Sequence, residues 1–234
     1  GRSDEIGVLG QTFDSLMDEN ARREDEREES EARREILVHE LAHRVKNTLA
    51  TVQSIASMSF RTNQGPEALR NFQERLQALV RSHDLLTRHN WQHADLREVA
   101  EAALAPARED LAHRFTLSGP PVDLRSVIVV PTAMIFHELC TNSMKYGALS
   151  NDTGHVELRW TKEPNEIGNL INLTWSERGG PPVKAPEHEG FGTRLITSLT
   201  RQLGGGYEVH YAVSGIVCDI HLVTRPDAAP EQNA

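Results

Sequence analysis

Residues 39–43 combine the side chains of a metal-dependent hydrolase. His39 and His43 lie four positions apart, so on a helix their imidazoles would face the same way, with Glu40 available as a base. This H-E-x-x-H spacing is typical of zinc peptidases, which also require a third ligand. Candidates for that ligand lie downstream at Glu67, Glu74 and His83. The next residues, RVKN at 44–47, raise the alternative that His43 is itself the reacting group.

A second polar set lies in the segment HELCTNSMKYGALS, which begins at position 137. Glu138, Asn142 and Lys145 are spaced i, i+4 and i+7, so they project from one face of a helix. A carboxylate, an amide and an ammonium group side by side suit a hydrated Mg²⁺ ion and a polyphosphate. A polar helix face in contact with water has the same spacing, so this segment alone decides nothing.

Two glycine-containing segments follow. Glu177 ends a predicted strand shortly before Gly179, and Gly190 and Gly192 open a predicted helix. Glycines let backbone N–H groups approach an anion, and the start of a helix favours negative charge. Each of these two segments is weak evidence by itself. Together with the polar segment that begins at position 137, and in this order, they are a strong signal of a polyphosphate site.

The histidines of the first set lie on a predicted helix over residues 36–60. Its apolar side recurs at three- and four-residue steps: Leu37, Leu41, Val45, Thr48, Val52 and Ile55. At about 100° per residue, His43 lies about 200° from Leu41 around the helix, and His39 shares its face. Both imidazoles are therefore expected to face solvent or a partner domain.

A turn at residues 65–66 (Gly-Pro) predicts a second helix over about 67–87 and hence an antiparallel helical hairpin. One hairpin has a thin core, so we expect a homodimer that forms a four-helix bundle. After Trp91 the pattern changes to helices mixed with strands of alternating polarity, which predicts an α/β sandwich. Pro131 is expected near the first turn of the helix that contains Glu138.

Composition narrows the classes of function. The chain has 234 residues and a net charge of −9, which offers nucleic acid no global attraction. Two cysteines give no disulfide framework, which suits a reducing cytoplasm. No apolar run approaches the roughly 20 residues of a membrane span. Because the sequence begins GRSDEIG without Met, we expect a piece of a longer protein.

The three segments resemble the N, G1 and G2 boxes of the GHKL ATP-binding fold. More closely, residues 36–224 resemble the HWE histidine kinase family, which is named for a His in the N box and a Trp-x-Glu in the G1 box. Here these residues are His137, Trp175 and Glu177. The family's acceptor pattern H-R-x-K-N matches residues 43–47. Cys140 and Ser143 stand where small residues such as Ala are expected.

This resemblance implies an α+β protein in which a helical hairpin, paired as a dimeric four-helix bundle, precedes an α/β sandwich with a mixed GHKL (Bergerat) sheet. It implies ATP and Mg²⁺ as cofactors, phosphoryl transfer to His43, and a metal held by Asn142 and Glu138. Either Glu138 or Glu40 is the base that takes the proton from His43, and the sequence does not decide between these two alternatives. The implied ATP contacts are His137, Asn142, Lys145, Tyr146, Glu177, Gly179, Gly190, Gly192 and Thr193.

The implied organisation includes a signalling segment and an external partner. Residues 4–17 resemble the last helix of a HAMP linker, and the charged residues 18–35 fit a signalling helix or a solvent-facing spacer. The predicted domains are residues 1–35 for this segment, 36–90 for the hairpin, 91–225 for the ATP-binding domain and 226–234 for a disordered tail. The expected partner is a response regulator. The expected location is the cytoplasmic portion of an inner-membrane bacterial receptor, with membrane contact only through preceding sequence.

Three other classes remain as alternatives. A GHKL ATPase or protein-serine kinase would use the same nucleotide segments without histidine transfer. A non-catalytic scaffold would tolerate loss of Asn142 or Gly192, and both are present. A zinc peptidase is the remote third class, since nothing marks its third ligand.

Overall fold

A computed structural model of the chain describes residues 45–57, 59–60, 65–89, 91–166, 168–183, 185–186 and 190–224. Before position 45 it describes residues 17, 19, 22–24, 27, 30–31, 33–34, 38–39 and 41–42, all of them helical. Glu40 and His43 of the predicted acceptor segment therefore lie outside the described residues. The chain divides into two compact units between Ser54 and Ile55.

In the first unit, the described residues from 17 to 54 are helical, as the mixed charges and the apolar periodicity predict. Arg27 and Glu31 form an exposed i,i+4 ion pair at 3.0 Å, which supports a solvated helix. Four apolar side chains at helical spacing are more than half exposed: Val38, Leu41, Val45 and Leu49. They form one uncovered apolar stripe.

The second unit opens with the end of this helical segment and helix α1 (Pro66–Arg88), which starts at the predicted Gly-Pro turn. Helix α1 packs against the long helix of the α/β part. Its buried face consists of Ala68, Arg75, Ala78, Leu79, Ser82, Leu85 and Leu86. Leu69, an apolar residue of the same helix, is 50 % exposed. The dimeric four-helix bundle stays a prediction.

The central sheet has five strands in the order β2-β4-β5-β7-β6. Their bounds are β2 (Phe115–Ser118), β4 (His155–Asn165), β5 (Gly168–Arg178), β6 (Gly206–Ala212) and β7 (Gly215–Thr224). Strand β2 is parallel to β4, and the other neighbours are antiparallel, so the sheet is mixed. The predicted mixed sheet is confirmed.

A small antiparallel pair, β1 (His93–Asp95) with β3 (Asp123–Arg125), lies outside the sheet. Each strand leads into a helix: α2 (Leu96–Leu111) and α3 (Ser126–Tyr146). The carboxylate of Asp95 accepts a hydrogen bond from the N–H of Arg97 at 2.8 Å and so caps α2. Helix α3 begins directly after β3, so Pro131 lies inside the helix and not near its first turn as expected.

Alternation along the strands separates the core from the open face of the sheet. Leu158, Leu173 and Ile220 are almost fully buried and belong to one hydrophobic cluster with residues of α2, α3 and α4 (Phe191–Gln202). Their neighbours Arg159, Asn172 and His221 point the other way and are half-buried or exposed. This arrangement confirms the predicted α/β sandwich.

Helix α3 is also long and apolar enough, by length and composition, to cross a membrane, contrary to our expectation that no run approached this length. Its most apolar window is 67 % buried inside the protein. The apolarity of α3 is therefore that of a central core helix, packed against α1, α2 and α4.

Candidate active site

Helix α3 carries the second predicted set, Glu138, Asn142 and Lys145, and Glu138 and Asn142 meet the start of α4. Glu138 is 3 % exposed, Asn142 is half-buried and Lys145 is exposed at the end of the helix. A side chain at Gly192 would meet Glu138 Oε2 at 3.0 Å and Asn142 Nδ2 at 3.1 Å. The structure thus brings the glycine of one segment directly against the carboxylate and amide of another.

Glu177, at the end of β5, has a fixed carboxylate although it is a long side chain. Trp175 and Glu177 point to the same face of the sheet, and the indole Nε1–H donates to Glu177 Oε1 at 2.9 Å. The backbone N–H of Ala148 donates to Glu177 Oε2 at 2.7 Å. Both partners are buried. The carboxylate is therefore oriented by one donor on each oxygen.

The turn after α3 is shaped around this carboxylate. A Cβ at Gly147 would overlap Glu177 Oε2, so any side chain there would displace the carboxylate. The buried guanidinium of Arg114 holds the loop by donating to the carbonyls of Ala148 at 2.8 Å and Gly154 at 2.6 Å. Burial and the nearby Glu177 carboxylate raise the pKa of the Cys140 thiol to about 12. This N-box cysteine is thus an inert core residue.

At the opposite end of the α3 face, Glu138 is paired with a residue that sequence reasoning did not select. Arg75 of α1 donates from Nε to Oε1 at 2.7 Å and from Nη2 to Oε2 at 3.1 Å. Its third nitrogen, Nη1, donates to Ser59 Oγ at 3.1 Å. The guanidinium also lies 3.8 Å from the centre of the Phe191 ring at the start of α4. Glu138 is thus ion-paired in a buried site.

Helix α1 also reaches the last residue of the polar set. Lys145 Nζ donates to Asn71 Oδ1 at 2.8 Å in an exposed contact. The neighbouring Tyr146 is 72 % exposed. His137 is 8 % exposed, and burial lowers the pKa of its imidazole; the nearby Glu138 carboxylate raises that pKa, and the positive charge of Arg81 lowers it further. His137 is therefore a neutral side chain beside α1.

The start of α4 offers backbone donors. Gly190 is the residue before the first turn of this 12-residue helix, and as a glycine it has no side chain that could cap the first N–H groups. Among the described residues, a Cβ at Gly190 would meet nothing within 4 Å, so Gly190 is not crowded by them. Thr193 lies half-buried in the first turn. Such a helix start can accommodate the charge of a phosphate group.

Comparison with known proteins agrees with this geometry. The sequence profile described as HWE histidine kinase matches residues 40–121, which include the predicted acceptor segment at residues 43–47. A blue-light-activated histidine kinase of Brucella ovis is 38 % identical over 207 residues, 88 % of this chain. This chain belongs to the HWE histidine kinase family. It spans only 42 % of the length of that relative, and the blue-light activation in the name is a property of the relative.

Other relatives and solved structures extend the comparison. A Brucella anthropi protein of the same name is 36 % identical over 208 residues. The histidine kinase domain of an Erythrobacter litoralis blue-light-activated histidine kinase covers 76 % of this chain and 94 % of its own, with a TM-score of 0.51 and 13 % identity. The longer protein from which it derives has a TM-score of 0.57 over 77 % of this chain and 58 % of its own, at 13 % identity. At 13 % identity, the two solved structures support the fold alone.

Family membership confirms the predicted resemblance and the assignment to a family of protein-histidine kinases. The roles of the individual site residues stay predictions. The structure brings together Glu138, Asn142 and Gly192 at one end of the α3 face, and Glu177 with the turn after α3 at the other. His39 is exposed, but the geometry of the H-E-x-x-H segment lies outside the described residues. In the part of the chain that the structure describes, no three His, Cys, Asp or Glu side chains group as a metal site.

Sequence reasoning missed the residues that hold the predicted ones. The position of Arg75 indicates a buried charge, because Arg75 lies three residues after Phe72 and four before Leu79 on the apolar side of α1. A charged residue at such a position requires a buried partner. Gly147 carried a weaker signal as the glycine that ends α3. Nothing in the sequence indicates the contacts of Asn71 or of the N–H of Ala148, since their partners lie far away in sequence.

Proposed function

We propose that this chain catalyses transfer of the γ-phosphoryl group of ATP to a ring nitrogen of His43. The observation that supports this most is the close approach of Glu138 and Asn142 to Gly192: a Cβ on Gly192 would lie 3.0 Å from Glu138 Oε2, 3.1 Å from Asn142 Nδ2 and 3.5 Å from Asn142 Oδ1. It combines oxygen ligands suited to a magnesium ion with a helix start suited to phosphate. Family membership supplies the reaction class.

Glu177 is suited to recognise adenine. Its two oxygens are oriented by Trp175 and Ala148, and each oxygen keeps a further lone pair. A carboxylate only accepts hydrogen bonds, so it favours the amino group of adenine and disfavours the carbonyl that guanine carries at the same position. Selectivity of this kind is strong because a mismatched polar group would stay unpaired in a buried site.

The phosphate end is suited to charge neutralisation. Glu138 and Asn142 fit a magnesium ion because they supply a carboxylate and an amide oxygen, and water molecules commonly complete the magnesium shell. A bound Mg²⁺ ion supplies neutralisation of charge on the phosphoryl oxygens. Lys145, exposed at the end of α3, adds a positive charge, and the first N–H groups of α4 add fixed donors.

His43 supplies the nucleophile. Neutral imidazole is available near pH 7, because its ordinary pKa is about 6.5. A nitrogen–phosphorus bond forms, the bond between the γ-phosphorus and the β,γ-bridging oxygen breaks, and ADP leaves. The imidazole proton passes to a carboxylate, and Glu138 and Glu40 both stay candidates. The N-terminal HAMP-like segment would connect this reaction to the cytoplasmic side of a membrane receptor.

The phosphoryl group would then pass to an aspartate of a response regulator. The protein would act as a homodimer, because the stripe of Val38, Leu41, Val45 and Leu49 leaves apolar surface uncovered. Light scattering is expected to give the mass of a dimer. A mass of one 26.1 kDa chain at high concentration would contradict the dimer but not the transfer reaction.

The transfer reaction is tested with γ-labelled ATP and the intact chain. We expect label on the protein that is lost in acid and retained in alkali, as for a phosphoramidate, with none from α-labelled ATP. Acid-stable label would favour the protein-serine kinase alternative. Nucleotide hydrolysis without protein label would favour a GHKL ATPase, and the absence of nucleotide binding would contradict the whole proposal.

A further inference from the structure

Helix α1 holds two of the groups that the proposed reaction needs free. Arg75 donates hydrogen bonds to both carboxylate oxygens of Glu138, and Asn71 Oδ1 accepts a hydrogen bond from the ammonium group of Lys145. Asn71 and Arg75 are four residues apart, so both reach α3 from one side of α1. One helix therefore engages both the proposed metal ligand and the proposed phosphate contact.

The Arg75–Glu138 pair is built as a buried contact and not as a surface ion pair. Arg75 is 8 % exposed and Glu138 is 3 % exposed. All three guanidinium nitrogens donate to a partner, and the Phe191 ring covers one face of the plane. A two-point arginine–carboxylate pair has strict geometry, and removing one partner of a buried pair is costly. Glu138 is thus neutralised by α1 in this arrangement.

A magnesium ion on Glu138 would have to bind next to this guanidinium. Mg²⁺ ligands lie about 2.0–2.1 Å from the ion, so a metal on either carboxylate oxygen would come within a few ångströms of Arg75. Like charges at that distance in a buried site repel strongly. Neutralisation of Glu138 by Arg75 and by Mg²⁺ are therefore alternatives.

We propose that Arg75 is a positioning residue that competes with Mg²⁺ for Glu138, so that binding of metal–nucleotide releases α1 from α3. The proposal rests on the proposed function, because it takes Glu138 as a metal ligand. Asn71 adds a second, weaker link of the same kind through Lys145. By thermodynamic reciprocity, whatever loosens α1 strengthens metal–nucleotide binding, and metal–nucleotide loosens α1 by the same factor.

This competition would link nucleotide occupancy to the hairpin that bears the acceptor. Helix α1 is the second helix of the predicted phosphotransfer hairpin, and it follows the segment that contains His43. Before metal–nucleotide binds, α1 is held on the polar face of α3. After binding, the part of α1 that carries Asn71 and Arg75 is no longer held by these contacts, while Leu85 and Leu86 keep the end of the helix in the core. A stimulus that moves α1 would change the affinity for metal–nucleotide through the same pair.

The first test measures how much Mg²⁺ is needed for ADP binding, by calorimetry on the intact chain. Arg75→Gln removes the charge and keeps a polar side chain. We expect the Mg²⁺ concentration for half-maximal binding to fall by at least about fivefold, the low end of ordinary coupling between sites. Binding of metal-free ADP should not become tighter, which separates this role from a merely structural one. Arg88→Gln, at the exposed end of the same helix, is the matched control and should change neither value.

The second test uses the unaltered chain and stays informative if Arg75→Gln fails to fold. Amide hydrogen exchange in α1 should be faster with Mg²⁺ and ADP together than with ADP alone. An unchanged or higher Mg²⁺ requirement in Arg75→Gln, or slower or unchanged exchange in α1, would overturn the competition while leaving the kinase proposal intact. No ADP binding with or without Mg²⁺ would overturn both.

Discussion

The two ends of the α3 face are held in different ways. At the adenine end, Glu177 is oriented by Trp175 and by the backbone of Ala148, both within the α/β sandwich. At the phosphate end, Glu138 and Lys145 are held by Arg75 and Asn71 of helix α1. The adenine end is therefore complete by itself. In the proposed competition, the phosphate end exchanges partners when metal–nucleotide binds, which would make it the end where regulation can act.

The largest effect is expected from Gly147→Ala, at the adenine end. The new Cβ would overlap Glu177 Oε2 and lie 3.0 Å from the Ser143 Cα, so Oε2 must move from its place beside the N–H of Ala148. Overpacking of this kind costs about 1–3 kcal/mol of unfolding free energy. ATP binding should also be lost, as measured by calorimetry. Gly206→Ala is the control, since a Cβ there meets nothing within 4 Å. Normal ATP affinity in Gly147→Ala would show that the close fit around Glu177 is unnecessary.

Glu177→Ala should weaken ATP binding by about 1.5–3 kcal/mol, the range for a hydrogen bond to a charged group. The wild-type chain should bind GTP poorly, and the variant should discriminate less between the two nucleotides. Affinities for both nucleotides in both proteins give the answer. Unchanged ATP affinity in the variant would remove Glu177 from the site.

Trp175→Phe removes the indole donor and keeps an aromatic ring in the core. We expect ATP affinity to fall by about 0.5–1.5 kcal/mol, less than for Glu177→Ala, because the N–H of Ala148 still holds one oxygen. Trp160→Phe is the matched control, since its indole donates at 2.7 Å to the Pro120 carbonyl and not to the site. It should lower the unfolding free energy without changing ATP affinity. Equal effects of both variants on ATP affinity would refute an orienting role for Trp175.

The smallest effect is expected from Asn71→Ala at the phosphate end. Its contact with Lys145 is exposed, and such a hydrogen bond contributes about 0.5 kcal/mol, or roughly twofold in affinity. Binding of Mg-ADP should become tighter by that factor, opposite in sign to the variants at the adenine end. Gln77→Ala, on an exposed position of α1, should have no effect. Weaker Mg-ADP binding in Asn71→Ala would contradict the contrast between the two ends.

Much of the fold was predictable because its signals are local. Alternation along β4 and β5 and the glycines around α4 are read within a few residues. The strands β1 and β3 have three residues each, too few for any alternation to be recognised. Helix α3 is buried on most sides, so its apolar pattern resembles a membrane span more than an amphipathic surface helix.

The candidate site was predictable in its groups but not in their partners. Glu138 and Glu177 follow from residue type and spacing, whereas Arg75 is 63 positions from Glu138. A single sequence carries no information on which distant residue meets a buried carboxylate. The N–H of Ala148 that donates to Glu177 is a backbone group, and so is the Ala148 carbonyl that accepts from Arg114. Every residue except proline has both groups, so residue type does not mark them. Their roles follow only from the folded chain.

The central claim is that the phosphoryl group of ATP goes to His43. The most direct measurement is single-turnover labelling with γ-labelled ATP in His43→Gln and His39→Gln, alongside Mg-ADP affinity in each. We predict that His43→Gln takes up no label while binding Mg-ADP normally, and that His39→Gln keeps most of its label. Label that persists in His43→Gln and is lost in His39→Gln would place the acceptor one helical turn earlier. Label that persists in both variants would contradict the assignment of this helix as the phosphotransfer segment.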